Sequence, residues 1–165
     1  MATPELPAAR LVRTTHTDDG TSVFASDSEL TPSLPFGPQA SAFTVLDVRS
    51  SLPVSNTEPV PGLENTLPRC PPGGVVCFVT DMRPNSSAPM HRTLTLDYAV
   101  VLSGEIVLGL DSGEEMTVRA GEFIVQQGVN HDWKNRTDQP CRVLFVMVSS
   151  ERIKLQNGTV LDETS

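Results

Sequence analysis

Two of the chain's three histidines, His91 and His131, lie in a half of the sequence where apolar and polar residues alternate. His91 opens the stretch His91-Arg-Thr-Leu-Thr-Leu-Asp97. A β-strand sends alternate side chains to opposite faces. Read as one strand, this stretch puts His91, Thr93, Thr95 and Asp97 on one face and Arg92, Leu94, Leu96 and Tyr98 on the other. The same parity groups His131, Trp133 and Asn135. If both polar faces line one interior, imidazoles, a carboxylate, hydroxyls, an amide and an indole converge, a set suited to a small organic ligand with or without a metal. If the leucine face turns to the core, the polar face meets water. Alternation alone leaves both open.

The residue types suit two chemistries. A histidine in a partly apolar pocket titrates near neutrality, and a nearby carboxylate raises its pKa and fixes its tautomer. Asp97 and His131 then pair as proton donor and acceptor beside His91, while Thr93 and Asn135 hold a substrate oxygen. Alternatively, His91, Asp97 and His131 form a two-histidine, one-carboxylate set whose open positions suit Fe(II), Zn(II) or Mn(II). Asp97 is a short ligand there, and Thr93 a poor one. Trp133 is either a flat wall of the pocket or a core indole. Tyr98, of opposite parity to Asp97, is expected outside. Cys70, Cys77 and Cys141 are odd in number, and Cys77 and Cys141 sit in apolar runs, so all three read as reduced structural thiols.

Positioning those groups falls to strands. Thirteen of the fourteen prolines precede residue 90, which makes the first half loop and short extended segments and leaves the second free to build sheet. Val23-Phe24 and residues 42–48 are expected early strands, and residues 49–74 a long irregular connection. Short strands with turn signals then run over residues 75–80, 91–102, 105–110, 116–119, 123–126 and 141–148, a spacing typical of an all-β sandwich or barrel. The expected divisions are an extended N-terminal region (1–73) packed on a barrel, the barrel core (74–150) and a C-terminal tail (151–165). The 165 residues suit one domain. A formal net charge of −8 with no basic cluster argues against nucleic acid or an anionic membrane as partner. The start carries no apolar signal-like run, so a cytoplasmic chain is expected.

Residues 74–150 resemble the cupins. His91-x-Thr93-x3-Asp97-x6-Gly104 keeps the spacing of their first motif, with Thr for the second histidine, Asp for glutamate and Asn85 at the opening glycine. Gly121, Gly128, His131 and Asn135 fall on the second motif, with Gln126 or Gln127 where proline is usual. The resemblance implies a double-stranded β-helix, or jelly-roll barrel, behind a proline-rich extended N-terminal region. More narrowly, HRTLTLDYAVVLSGE with QQGVNHDWKNRT is similar to small single-domain cupins of bacteria and fungi, which in fungi accompany polyketide and other secondary-metabolite pathways. It implies an enzyme catalysing non-redox acid–base chemistry on a small molecule: dehydration, isomerisation, cyclisation or decarboxylation. The alternatives are a metal-dependent oxidoreductase or oxygenase, and a cupin that binds a small molecule without altering it. Cupin metal sites use three histidines and a glutamate, a set this chain cannot supply at Thr93. A homodimer is expected, with residues from about 40 to 75 packed on a barrel, because open sheet edges and an apolar extended segment need covering.

Overall fold

The computed structural model describes residues 6–59, 61–63 and 66–164, and every regular element among them is a strand. No helix among the described residues is long and apolar enough to cross a membrane. The alternating sequence of the second half builds two facing sheets. β4 (Val75–Met82), β11 (Cys141–Ser149), β6 (Thr95–Ser103) and β9 (Phe123–Gln127) lie side by side with β3 (Ala42–Arg49) at the edge, in the order β3-β4-β11-β6-β9. The opposing sheet is β5-β10-β7-β8, from β5 (Ser86–His91), β7 (Glu105–Leu110), β8 (Glu115–Arg119) and β10 (His131–Asn135). All pairings are antiparallel.

The inward positions make the core. On β11 the buried residues are Cys141, Val143, Phe145 and Met147, alternating with half-buried neighbours, as period-two patterning requires. Aromatic rings form a chain across it. Phe78 stacks on Phe145 with centroids 5.3 Å apart, and Phe145 meets Trp133 edge-on at 5.5 Å. Such pairs add about 0.5–1.5 kcal/mol each beyond the area they bury.

Two expectations need correction. Residues 91–102 are not one strand. The chain leaves the four-stranded sheet at His91 and enters the five-stranded sheet at Thr95. Residues 92–94 form the corner, where Arg92 bonds through its backbone to Thr164. The alternation carries no mark of that corner, since Thr93 and Leu94 suit a strand as well as a turn. Secondly, the strand expected at residues 42–48 forms as β3 and pairs directly with β4, so the sheet takes in residues ahead of the expected barrel start at 74.

Ahead of it, β1 (Ala9–His16) and β2 (Ser22–Leu30) form a two-stranded ribbon paired only with itself. At the corner between β6 and β7, Gly104 has φ 74°, and a Cβ there would lie 2.8 Å from the Pro140 carbonyl oxygen. Only glycine fits. Asn85, at the expected glycine position, has φ 51°, a conformation asparagine tolerates better than most residues.

Candidate functional site

Pairing of β5 with β10 sets His91 opposite His131, with ring centroids 4.3 Å apart. Each ring turns Nδ1 to a nearby carbonyl, His91 to Pro89 at 2.8 Å and His131 to Val129 at 2.9 Å. A neutral imidazole donating from Nδ1 keeps a lone pair on Nε2. Each ring with its Nδ1 so engaged has Nε2 left as the acceptor, and that of His131 lies in the interior.

The opposite sheet supplies the rest. Asp97 on β6 and Gln126 on β9 are directly opposed in the register. The Gln126 Nε2 amide donates to Asp97 Oδ2 at 3.2 Å and to His131 Nε2 at 3.1 Å. One NH2 group thus spends both protons joining a carboxyl on one sheet to an imidazole on the other. Asp97, Gln126 and His131 are 3%, 4% and 2% exposed. Asp97 Oδ1 and Gln126 Oε1 are buried without a hydrogen-bond partner among the described residues. His91 Nε2 takes no protein partner there either.

Burial governs the charges. It holds the His131 imidazole down at about 4, with help from His91, so at neutral pH the ring is uncharged. Burial also pushes the Asp97 carboxyl above the usual carboxylate range, opposed by hydrogen bonding that includes Gln126 and by the nearby His91. The two groups move in the directions that favour their neutral forms, which suits a site closed to bulk water.

The remaining expected site residues divide. Thr93 Oγ1 lies 2.8 Å from Thr95 Oγ1, beside His91 at the corner. Trp133 is 6% exposed and meets His131 edge-on at 5.5 Å, so it backs the ring as a core indole. Asn135 is elsewhere. Its Nδ2 donates to the carbonyls of Met82 and Gln139, and its Oδ1 accepts from the amide and hydroxyl of Thr137. With every polar atom used, it ties the turn after β10 and has nothing left for a substrate. Tyr98 faces outward and is half exposed. The cysteines are structural thiols, Cys141 being pushed by burial up to about 12.

The three expected metal ligands do not assemble. No three histidine, cysteine, aspartate or glutamate side chains among the described residues converge as an ion-holding group. An amide N–H, itself a donor, stands between Asp97 and His131 where a shared cation would sit. As arranged, the set does not fit a metal.

Gln126 is the residue that sequence reading missed as a functional group. Its signal was available. On β9 Ile124 and Gln126 turn inward while Phe123, Val125 and Gln127 are exposed, so a polar residue occupies a core position.

The cupin domain family model matches residues 78–147. A cupin-domain-containing oxidoreductase of Aspergillus ruber, fogC, is 32% identical over 162 residues, spanning 93% of this chain and 79% of its own. The chain belongs to the cupin family. Phomopsin biosynthesis cluster protein C' of Diaporthe leptostromiformis is 41% identical over 102 residues, 57% of this chain and 54% of that one. The chain spans about half the length of such curated relatives. Among solved structures, the polyketide cyclase RemF of Streptomyces resistomycificus superposes with a TM-score of 0.51 at 23% identity, over 72% of this chain and 73% of its own, a likeness of fold.

Proposed function

We propose that this cupin is an enzyme of fungal-type secondary metabolism that rearranges a small organic molecule by acid–base chemistry. The observation that carries the reading is the Gln126 bridge, which holds a carboxyl and a neutral imidazole in one buried unit beside a second imidazole with a free Nε2. His91 is the better base of the two, because the His131 lone pair already accepts from Gln126. In the reaction, His91 Nε2 removes a proton from carbon or oxygen of the substrate. Asp97, whose carboxyl burial raises above the usual carboxylate range, is the proton donor, passing a proton from Oδ1 to a departing or enolising oxygen. Proton removal paired with loss of water is dehydration; with proton return at another carbon it is isomerisation; with attack of the enolate on a carbonyl it is cyclisation. None of the site residues is a lysine or arginine, so a substrate carboxylate has no cation to hold it, which makes decarboxylation the least suited of the four expected reactions. The phomopsin-cluster relatives support the metabolic setting.

The test is turnover of the intermediate that accumulates when the gene is deleted. His91→Gln and Asp97→Asn are each expected to lower kcat by about 10²–10⁴, the range for a lost general acid or base. Full activity in both variants sinks the assignment.

A second reading, a metal-dependent oxidoreductase, is favoured by the printed name of fogC. It requires the Gln126 amide to rotate away from the space between Asp97 and His131. Stoichiometric iron or manganese in the purified protein, with oxygen-dependent turnover, selects it over the first.

A further inference from the structure

Asp97, Gln126 and His131 are buried, while His91 and Thr93 are half-buried at the corner, so a ligand reaches the inner groups of the site only if some part of the protein moves. Every one of them sits beside one of two turns. His91, Thr93 and Asp97 flank the corner at residues 92–94, and Gln126 and His131 flank the turn at residues 128–130. Arg92 ties the two turns together, its Nε donating to the Gly128 carbonyl at 3.1 Å. The site is therefore reached most directly from this end of the barrel.

The C-terminal segment is fastened to the same two turns. Arg92 and Thr164 exchange both backbone hydrogen bonds, each 3.1 Å. The Thr164 hydroxyl bonds Asn130 Oδ1 at 3.1 Å, and the Ser150 amide bonds the Leu94 carbonyl at 3.0 Å. Ile153 covers Gly128 so closely that a Cβ on the glycine would lie 3.1 Å from Ile153 Cδ1. Between these points β12 (Ile153–Lys154) and β13 (Val160–Leu161) make a hairpin of two residue pairs. Its one ion pair, Arg152 with Asp162, is more than half exposed on both sides and adds little. Two-residue strands, with Lys154 and Val160 exposed and Ile153 and Leu161 half-buried, open far more readily than a barrel sheet.

We propose that residues 150–164 form a strap across the barrel entrance, and that its release from the two turns admits a small organic ligand to the site. The proposal rests on the barrel interior being the site, and not on the chemistry assigned there. At the far end the Asn135 hydrogen bonds tie the turn after β10 to the end of β4.

The test locks the strap. Arg92 and Thr164 form a hydrogen-bonded antiparallel pair, whose Cα atoms lie about 5.5 Å apart, within reach of a disulfide. The probe is diethyl pyrocarbonate on the full chain carrying Arg92→Cys and Thr164→Cys. Labelling of His131 is followed by mass spectrometry, with exposed His16 on the ribbon as internal reference. Oxidation is expected to slow His131 labelling relative to His16 by about tenfold, with recovery on reduction. Deleting residues 150–165 is expected to speed it by a similar factor, the intact barrel being checked by its thermal unfolding. Equal His131 rates in the oxidised and reduced forms overturn the proposal. So does an unchanged rate in a folded truncated chain, which also decides the matter should the disulfide not form. The labelling needs no turnover, so failure of the acid–base reading leaves its outcome unaffected.

Discussion

Each polar atom around Gln126 has a defined part, and removing one exposes the others. Gln126→Leu takes the donor from two buried acceptors at once, and an unsatisfied buried group costs about 1–3 kcal/mol. Urea unfolding is expected to show a loss of at least that size; no loss would mean the bridge is not formed in solution. His131 gives the protein a pH signature. Its folded pKa of about 4 lies below the unfolded value of about 6.5, so between those values the unfolded chain binds the extra proton. The His131 contribution to stability must then rise with pH across the window and be lost as pH falls through it, by on the order of 3 kcal/mol in all. Asp97 acts with the opposite sign. Its pKa is raised on folding, so its contribution is present below the unfolded carboxyl value and is lost as pH rises through the folded one. Urea unfolding across that window is expected to show a slope more positive in the natural chain than in His131→Gln, where only the opposing Asp97 contribution remains; equal slopes in the two refute the assignment. Parity alone pointed to His91, Asp97 and His131. It could not separate Asn135 from them, because the partners that occupy Asn135 come from a turn and a neighbouring strand end.

At the level of strands, the sequence placed β4, β7, β8, β9 and β11 within a residue or two, because inward apolar residues alternate with turn-forming glycines. It missed the break at 92–94, where no proline or glycine interrupts the pattern. The error had a useful side. Thr93 and Asp97 were grouped with His91 for a reason that does not hold, yet the corner folds them to the same end of the barrel. β1 was not foreseen, since its alternation of arginine, valine and threonine matches an exposed ribbon as well as a loop. The corner at Gly104 offers a clean test of turn chemistry. Gly104→Ala forces a side chain into a positive-φ position against the Pro140 carbonyl. A loss of about 1–3 kcal/mol is expected, measured by thermal unfolding, whereas Gly113→Ala, with open space around its Cβ, should lose only the conformational part.

Across the whole molecule, large apolar side chains remain in water. Phe24 on the ribbon is 79% exposed, and Phe123 on β9 is 80% exposed with Val125 and Tyr98 beside it. A two-stranded ribbon is marginal by itself. The expected outcome is a homodimer in which the ribbon of one copy packs on the other, so light scattering should give twice 17.8 kDa. Phe24→Asp should return it to a single chain mass; a monomer in the natural protein ends the idea. A different consequence follows from the division of the site between two sheets. His91 and His131 ride on one sheet and Asp97 and Gln126 on the other, so the gap between acid and base is set by whatever props the sheets apart. Phe78, Phe145 and Trp133 are those props. Trading a phenylalanine there for a smaller or larger residue would narrow or widen the reaction chamber without altering a single group that touches the substrate. Descendants of this barrel could therefore change the size of molecule they accept by mutating residues no ligand ever meets.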